Sequence, residues 1–357
     1  MDKDELVNKL MEKGMVYPQF TDKNIEYFIN PSYDIPQSLH FHNVAILQNK
    51  NICKSRLDVD ISSEVIRGVV RPIPLIAANM LSVVDSEFLI EIYRLGALGI
   101  LHRAAPQSFL VKETKKIANK CEWVAVSIGI GDDQYELAKK LIEAGANIIN
   151  IDIAHGFNQA VIDLGRKIKK DFNVKIILGN THNINMYYET KDFCDALKVG
   201  LSNGGVCSTK NTAACSEGQF TSVLKFKDLC KRYGMPIISD GGIKESADFC
   251  KAIAAGSNSV MAGSVFARCP ESAGEIVEVN GERKKIHFGM ASSKAQQIWK
   301  GGLKKGTCAE GKVSYLDIGE PLESLLERYS GALRSGITYG GGNDIKSFQE
   351  KVKFTRI

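Results

Sequence analysis

Eight short runs of apolar and often β-branched residues recur through the middle of the chain. The segment between each run and the next is long enough to form a helix. The runs are Ile73–Asn79, Leu98–His102, Trp123–Ile128, Ile148–Asp152, Lys175–Gly179, Ala196–Gly200, Pro236–Asp240 and Ser259–Gly263. Runs with so few polar residues are typical of parallel strands that are buried on both faces. Strands that alternate with helices form right-handed βαβ units, so the pattern predicts an α/β fold with a parallel sheet.

The segments between the runs carry helix start and stop signals. Asp132 and Asp133 are suited to cap a helix, and Gly145 is suited to end it. The apolar stripe of that helix consists of Leu137, Ala138, Leu141 and Ile142. Gly96, Gly145 and Gly256 each follow a predicted helix and precede a strand, so we expect all three in the left-handed C′ conformation.

The number of units favours a closed (β/α)₈ TIM barrel over an open, doubly wound sheet. Eight βα units close a barrel, and the GxGxxG motif of dinucleotide-binding open sheets is absent after the first run. We predict a single catalytic barrel domain over residues 1–357, with its core at residues 71–268. Residues 1–70 are expected to form an N-terminal arm and a lid over the barrel floor. Residues 270–357 are expected to form a C-terminal hairpin and flap extension, because Asn280-Gly281 lies between two alternating runs.

The composition is typical of a soluble globular protein and excludes several other classes. Of the 357 residues, 44% are hydrophobic and 24% are charged, and the net charge is only +5, which does not indicate nucleic-acid binding. No apolar run is long enough to span a membrane, and no signal peptide is recognised, so we expect a cytoplasmic protein. The nine cysteines are odd in number and none are at CxxC spacing, which argues against disulfides and structural zinc.

Two glycine-containing strand ends predict a phosphate site. The seventh run ends in Ser239–Gly242 and the eighth in Ala262–Ser264. Barrels frequently bind phosphate at this place, through backbone N–H groups and a helix N-terminus. Asp240 would repel a phosphate and is better suited to accept hydrogen bonds from ribose hydroxyl groups. The alternative is that these glycines only permit tight turns.

A third strand end carries a candidate nucleophile. Cys207 lies in a loop of turn and hydroxyl residues, Gly200–Lys210, after the sixth run. Backbone N–H groups of such a loop could stabilise a thiolate, although most cysteines are small buried apolar residues. Both interpretations stay open for Cys207 on spacing alone. The cysteines assigned to the buried class are Cys121, Cys194, Cys230 and Cys250.

These loops resemble signature segments of the IMP dehydrogenase/GMP reductase family. Val199–Lys210 resembles its cysteine loop, and Ile238–Ala267 resembles its phosphate segment. Further matches over about residues 40–350 are IPLIAANM, LHRAAP, INIDIAHG, ILGNT, HFGMASS, AEGK and ALRSGITYGGG. The joint set of motifs is specific, and it implies the family's barrel fold.

Within the family, the chain is most similar to the bacterial GMP reductase branch. IMP dehydrogenases usually carry CBS modules inserted after the second strand, whereas here His102–Pro106 runs directly into the next helix. The long mobile flap of IMP dehydrogenases is also missing, because the segment from Ala309 to Glu320 is short.

The resemblance implies that the chain is an oxidoreductase that reductively deaminates GMP to IMP and ammonia with NADPH. Cys207 would attack C2 of the purine and form a covalent thioimidate, which divides one hard substitution into two easier steps. Thr209 and Glu310 match the family's pair that protonates the leaving ammonia. Without the resemblance, Glu310 would be interpreted as a solvated surface carboxylate.

The resemblance also implies the remaining contacts of a purine nucleoside monophosphate and its cofactor. The substrate-binding residues would be Asp240, Gly241, Gly242, Gly263, Ser264, Met290, Ala291 and Ser292. The cofactor-binding residues would be Ala78, Asp152, Asn180 and Gly200. A monovalent cation such as K⁺ would bind the carbonyl groups of Ser202, Gly204 and Cys207, and the chain would form a homotetramer. His155 follows the fourth strand, but a lone loop histidine is more often structural.

Several positions depart from the family pattern. Gly205 replaces a phosphate-binding serine, Leu81 replaces an aspartate, and Thr307–Ala309 replaces Arg-Ala-Ser before Glu310. The segment after Thr209 lacks the usual Thr-Gly-x-Gly character. Because these changes cluster around the base and the cofactor, a modified or deoxy guanine nucleotide is an alternative substrate, and NADH is an alternative reductant.

Three other functions stay open at this point. The first is an IMP dehydrogenase-like oxidation of IMP with NAD⁺, which the missing flap opposes. The second is a non-catalytic nucleotide-binding barrel, which the joint presence of Cys207, Thr209 and Glu310 opposes. The third is an oxidoreductase that binds a flavin phosphate in the same glycine-rich pocket.

Overall fold

The computed structural model describes residues 37–357, in which fifteen strands form four sheets. Three strands precede a central barrel, eight form it and four follow it. The strands are β1 (Val44–Ile46), β2 (Ser63–Ile66), β3 (Val69–Arg71), β4 (Leu75–Ala77), β5 (Leu98–Leu101), β6 (Ala125–Ile128), β7 (Ile148–Asp152), β8 (Lys175–Thr181), β9 (Ala196–Val199), β10 (Ile237–Asp240), β11 (Ser259–Ala262), β12 (Ile276–Val279), β13 (Glu282–Phe288), β14 (Val313–Asp317) and β15 (Phe354–Arg356).

Strands β4 to β11 form a closed parallel barrel. Each strand pairs with the next one along the chain, and β11 pairs with β4 to close the ring. The predicted (β/α)₈ barrel is therefore confirmed, because all eight predicted strands are present in the predicted order. The strands are buried on both faces, so their sequences are continuous apolar runs rather than alternating ones.

Of the described helices, eight lie between successive barrel strands and four follow the last barrel strand. They are α1 (Ser86–Arg94), α2 (Gln107–Ala118), α3 (Gln134–Glu143), α4 (Gln159–Asp171), α5 (Asn185–Thr190), α6 (Thr209–Thr212), α7 (Gln219–Tyr233), α8 (Ser246–Ala254), α9 (Ser264–Ala267), α10 (Ser293–Lys300), α11 (Leu322–Tyr339) and α12 (Ile345–Lys351), with 3₁₀ turns at Phe41–Asn43 and Arg56–Asp58. Gly96, Gly145 and Gly256 have the predicted positive φ angles of 94°, 107° and 119°. Asp133 is the N-cap residue of α3, as predicted, but its carboxylate accepts hydrogen bonds from two glutamine side chains instead of a backbone N–H.

The hairpin of β2 and β3 closes the floor of the barrel. Val65, Ile66 and Val69 pack against the apolar side chains that fill the barrel interior. The hairpin also forms hydrogen bonds with the residues that immediately precede β9 and β11. The Arg67 N–H donates to the carbonyl of Asp195 at 2.9 Å. The Ser63 hydroxyl donates to the carbonyl of Asn258 at 2.6 Å. The predicted floor lid is confirmed over Ser63–Arg71, whereas residues 1–36 of the predicted arm lie outside the described residues.

The predicted C-terminal hairpin is present and is part of a larger sheet. Asn280 and Gly281 have φ angles of 53° and 78°, as a two-residue turn between β12 and β13 requires. β14 adds a third antiparallel strand beside β13, which the sequence analysis did not predict. β15 returns to pair with β1. Along residues 37–357, no helix has both the length and the apolar character needed to cross a bilayer.

Candidate functional site

A cavity of about 260 Å³ opens at the carboxyl ends of the barrel strands. It is lined by every predicted catalytic, substrate, cofactor and cation residue except Ser292. The Ser292 side chain is buried instead, and its hydroxyl accepts the Ala295 N–H at 3.2 Å, which caps α10. The predicted residues thus come from eight separate parts of the chain and meet at one place.

The end of β9 packs so tightly against the end of β10 that only glycine fits at position 200. Gly200 has a φ of 141°, and a Cβ there would lie 2.1 Å from the carbonyl oxygen of Asp240. It would also lie 2.6 Å from Oε1 of Gln219. Gly200 therefore has a structural reason to be glycine in addition to its place in the cavity wall.

Hydrogen bonds made by the side chains of Ser202 and Asn203 fix the loop that carries Cys207. The Asn203 side-chain amide donates to the carbonyl of Glu217 at 2.9 Å and to Oε1 of Gln219 at 2.7 Å. The Ser202 hydroxyl oxygen accepts the Lys210 N–H at 2.6 Å. The loop is therefore held at both sides of the cysteine.

The same loop pairs with the segment that precedes β14. The Ser208 N–H donates to the carbonyl of Glu310 at 2.9 Å, and the Lys312 N–H donates to the carbonyl of Val206 at 2.9 Å. Cys207 and Gly311 form an isolated antiparallel bridge between these two bonds. This pairing brings a carboxylate from the C-terminal extension next to the cysteine.

Cys207, Thr209 and Glu310 form a continuous chain of polar contacts. The Sγ of Cys207 is 3.2 Å from the Thr209 hydroxyl oxygen, and that hydroxyl donates to Oε2 of Glu310 at 2.8 Å. Thr209 is buried, whereas Cys207 and Glu310 are partly exposed to the cavity. Chemically, the arrangement offers a nucleophile to a bound molecule and a carboxylate that can exchange a proton through a hydroxyl group.

Four of the other eight cysteines are buried in the core. Cys121, Cys194 and Cys250 are buried as predicted, whereas Cys230 is only partly buried. Burial raises the pKa of the Cys194 and Cys250 thiols to about 12. Such thiols are poor nucleophiles, and neither lines the cavity.

A fully buried lysine joins two carboxylates on the cavity wall. The Lys198 ammonium contacts Oδ1 of Asp152 and lies 3.3 Å from Oδ2 of Asp240. Asn79 donates to the other oxygen of Asp152 at 3.0 Å, and Asn180 donates to Asp240 at 2.8 Å. The predicted cofactor carboxylate and the predicted ribose carboxylate are therefore positioned by one shared cation.

Electrostatics keeps this buried pair charged. Burial alone would lower the pKa of Lys198, but Asp152 and Asp240 outweigh it, so the pKa of Lys198 lies above its ordinary value. Burial alone would raise the pKa of Asp152, but Lys198 and Arg103 outweigh it and lower that pKa. Lys198 and Asp152 are accordingly an ion pair at neutral pH.

Backbone donors gather at the ends of the last two barrel strands. Within the described residues, no intramolecular hydrogen bond uses the backbone N–H of Gly242, Gly263 or Ser264. All three residues line the cavity. Free N–H groups clustered in this way form a suitable site for an anion such as phosphate.

Six polar residues of the cavity wall were missed by the sequence analysis. They are Asn79, Arg103, Lys198, Asn203, His287 and Gln296. A signal existed for Lys198, because a charged residue inside a strand buried on both faces requires a partner. Arg103 directly follows a predicted strand end, and its guanidinium lies 5.3 Å from the centre of the Trp299 ring. No local pattern identified His287 or Gln296, since both lie on the extension outside the βα repeat.

Comparison with known proteins places this geometry in context. The family model of the IMP dehydrogenase / GMP reductase domain matches residues 38–357. The chain is 35% identical over 253 residues to an inosine-5′-monophosphate dehydrogenase of Rhizobium tropici, which covers 65% of this chain and 49% of that protein. It is 31% identical over 328 residues to a GMP reductase of Klebsiella pneumoniae, which covers 89% and 94%. A GMP reductase of Streptococcus agalactiae is 33% identical over 322 residues, which covers 88% and 94%. The chain spans about half the length of several other curated relatives that it matches.

Proposed function

The chain belongs to the IMP dehydrogenase/GMP reductase family, and on this premise we propose that it reductively deaminates GMP to IMP and ammonia with NADPH. The observation that carries the proposal is the chain of contacts from Cys207 through Thr209 to Glu310 at the cavity wall. It supplies the nucleophile and the proton donor that removal of an amino group requires. The chain's near full-length match to two GMP reductases supports the choice of reaction.

The Cys207 thiol first passes its proton through the Thr209 hydroxyl to Glu310, and the thiolate that remains begins the chemistry. Its sulfur forms a bond to C2 of the purine, and the bond from C2 to the exocyclic nitrogen then breaks, which leaves a thioimidate. Ammonia departs with a proton that Glu310 delivers through the Thr209 hydroxyl, because an unprotonated amide ion is a very poor leaving group. NADPH, when bound, supplies the hydride that C2 accepts. The carbon–sulfur bond then breaks, and the thiolate returns to Cys207.

The sugar and phosphate are proposed to bind at the ends of β10 and β11. Asp240 accepts hydrogen bonds from the ribose hydroxyl groups, and its orientation is fixed by Lys198 and Asn180. The free N–H groups of Gly242, Gly263 and Ser264 hold the phosphate, with Gly241 shaping their turn. Met290 and Ala291 contact the base. Ser292 is proposed to position these two residues through its cap on α10 rather than to touch the base itself.

The cofactor is proposed to bind on the side of the cavity formed by Ala78, Asp152, Asn180 and Gly200. Arg103 lines the cavity close enough to Asp152 to lower its pKa, and it has no carboxylate within 4.0 Å among residues 37–357. A cation without an ion-pair partner fits an anionic dinucleotide. Asp152 is held in its charged form by Lys198, so it can accept a hydrogen bond from the cofactor.

A monovalent cation and a homotetramer complete the proposal. The carbonyl oxygens of Ser202, Gly204 and Cys207 are the type of ligand that K⁺ prefers. The Gly204 carbonyl accepts the Cys207 N–H at 3.0 Å, and its second lone pair stays available. Replacing K⁺ with Na⁺ in the assay should lower turnover, and light scattering should give four chains per particle. We further propose a cytoplasmic location.

The second candidate is oxidation of IMP with NAD⁺, which the 35% identity to an IMP dehydrogenase supports. One assay separates the reductase from the dehydrogenase. It measures absorbance at the reduced-nicotinamide band. GMP, dGMP and IMP are each tested with NADPH, NADH and NAD⁺. Loss of NADPH absorbance with GMP supports the reductase, and faster loss with dGMP identifies the deoxynucleotide as the substrate. A rise with IMP and NAD⁺ supports the dehydrogenase. No change with any combination contradicts both reactions.

A further inference from the structure

A buried histidine faces the cavity and has no part in the chemistry above. His287 lies near the end of β13, is 1% exposed and lines the cavity. Its Nδ1 is 2.9 Å from the hydroxyl oxygen of Ser82. Its Cε1 and Nε2 lie 3.7 Å from the position that a Cβ on Gly263 would take. Ser82 therefore holds one edge of the ring, and the other edge faces Gly263.

Ser82 is able to hold this ring in either charge state. When the ring is neutral, the Ser82 hydroxyl donates to Nδ1, and the ring proton resides on Nε2. When the ring is positive, Nδ1–H donates to the Ser82 oxygen, whose own hydrogen turns to the Phe288 carbonyl at 3.4 Å. The Phe288 N–H donates to the same oxygen at 3.2 Å in both cases. In both states Nε2 carries a hydrogen on the side of Gly263.

The Nε2 edge of the ring faces Gly263, which is part of the proposed anion site. The unpartnered N–H groups of Gly263 and Ser264 lie there. The other two cationic side chains on the described cavity wall are Lys198 and Arg103. Lys198 is paired with two carboxylates, and Arg103 lies near Asp152. A phosphate dianion at Gly263 would otherwise be bound by neutral groups alone.

We propose that His287 binds the phosphate of the nucleotide through Nε2 and takes up a proton from solvent as it does so. This inference rests on the proposed function, which supplies a nucleoside monophosphate as the ligand. No covalent bond is formed or broken, and the proton returns to solvent when the nucleotide leaves. His287 would thereby make the affinity for the phosphate dependent on pH.

The surroundings of the ring account for the direction of this proton uptake. The groups that face it are Met80 and Ser82 from the loop after β4, Gly263 and Arg268 at the two ends of α9, and Ser314 of β14. Arg268 is the only charged group among them. Burial, followed by the charge of Arg268, lowers the pKa of His287 to about 4, so the ring is neutral at pH 7. A dianion at Gly263 would oppose both effects and raise that pKa.

Calorimetry tests proton uptake on the unmodified protein. GMP is titrated at about pH 7.5, where a phosphate monoester is already mostly dianionic, in two buffers with different ionisation enthalpies. The difference between the observed heats gives the number of protons exchanged. We expect uptake approaching about one proton per GMP bound and none with guanosine, which lacks the phosphate.

Two variants separate this role from a structural one. His287→Gln retains an N–H donor but cannot become positive, so GMP should bind roughly 10- to 100-fold more weakly and without proton uptake, while guanosine affinity is unchanged. The control is His155→Gln, an exposed residue at the same end of the barrel that does not line the cavity, and it should behave as wild type. GMP binding without proton uptake, or with the same uptake in His287→Gln, overturns this inference and leaves the proposed function standing. A wild-type protein that binds neither GMP nor guanosine overturns the proposed function first.

Discussion

The hydroxyl of Thr209 donates a 2.8 Å hydrogen bond to the carboxylate of Glu310, although the two residues are 101 positions apart in the chain. The bond exists because the cysteine loop pairs with the segment before β14. The proposed acid is thus brought to the proposed nucleophile by backbone pairing between the barrel and its C-terminal extension.

Replacement of Cys207 by alanine should abolish turnover without unfolding the protein. The side chain is partly exposed and makes one polar contact, so its loss costs little stability. We expect kcat to fall by at least about 1,000-fold, because no covalent intermediate can form. Cys215→Ala, at an exposed cysteine of the same connection, is the matched control and should retain activity. Full activity in Cys207→Ala would refute the covalent mechanism.

Thr209 and Glu310 should act as one unit. Because the hydroxyl connects the thiol to the carboxylate, Thr209→Val and Glu310→Gln should each lower kcat by roughly 10²- to 10⁴-fold with little change in KM for GMP. The double variant should be no worse than the more severe single variant, since each change interrupts the same path. Steady-state kinetics of the four proteins checks this. Additive losses would show that the two residues act separately.

Lys198→Met should destabilise the fold, because it leaves two carboxylates without their cationic partner. Lys198 is fully buried between Asp152 and Asp240, and removal of one member of a buried ion pair costs about 3–5 kcal/mol. The free energy of unfolding in urea measures the effect. The variant Lys198→Met/Asp152→Asn should recover part of it, because one uncompensated charge is removed. A single variant as stable as wild type would contradict the pairing.

Two buried histidines should make the protein less stable in acid. Burial lowers the pKa of His102 and of His287 from 6.5 to about 4. Because the folded pKa lies below the unfolded value, the unfolded chain binds more protons between pH 6.5 and about 4. The contribution of each neutral ring to the free energy of unfolding is fully present above pH 6.5. Roughly 3 kcal/mol per histidine is lost as the pH falls from 6.5 through about 4.

Urea unfolding at several pH values checks this prediction. The Nδ1 of His102 is buried without a hydrogen-bond partner, so its ring is suited to the test. His102→Gln should show a shallower loss of stability with falling pH than wild type, whatever its absolute stability. Identical pH slopes for the two proteins would show that His102 does not titrate in this range.

The barrel was predictable from the sequence because its strands are buried on both faces. Continuous apolar runs identified all eight strands, and the boundaries differ by at most two residues at either end. The turn at Asn280-Gly281 was predictable because two successive left-handed residues strongly favour these residue types. Local chemistry alone determines both features.

The features that local sequence patterns did not predict depend on contacts between distant parts of the chain. The pairing of Cys207 with Gly311 and of β1 with β15 leaves no local pattern in either partner. Thr209 and Glu310 were named through a family resemblance, since a glutamate in a polar loop otherwise indicates a surface residue. Lys198 was not predicted as a site residue, because the apolar residues of Ala196–Gly200 indicate only a buried strand, although the single charge in that run is its more informative position.

The sheet of β12, β13 and β14 shares no pairing with any barrel strand. Met290, Ala291 and Glu310 lie in the connection between β13 and β14, whereas Asp240 and Gly263 lie at the ends of barrel strands. Most of the proposed base contacts and most of the proposed sugar-phosphate contacts are therefore encoded in different stretches of the gene, and His287 is the exception, because it lies in the same stretch as the base contacts. Residues 276–317 could be exchanged in one piece with those of a relative. Such a chimera would inherit its base preference and the residue at position 287 from the donor, while it retains Asp240 and Gly263 of the recipient. New nucleotide specificities can arise in this architecture by recombination, with no change to the barrel itself.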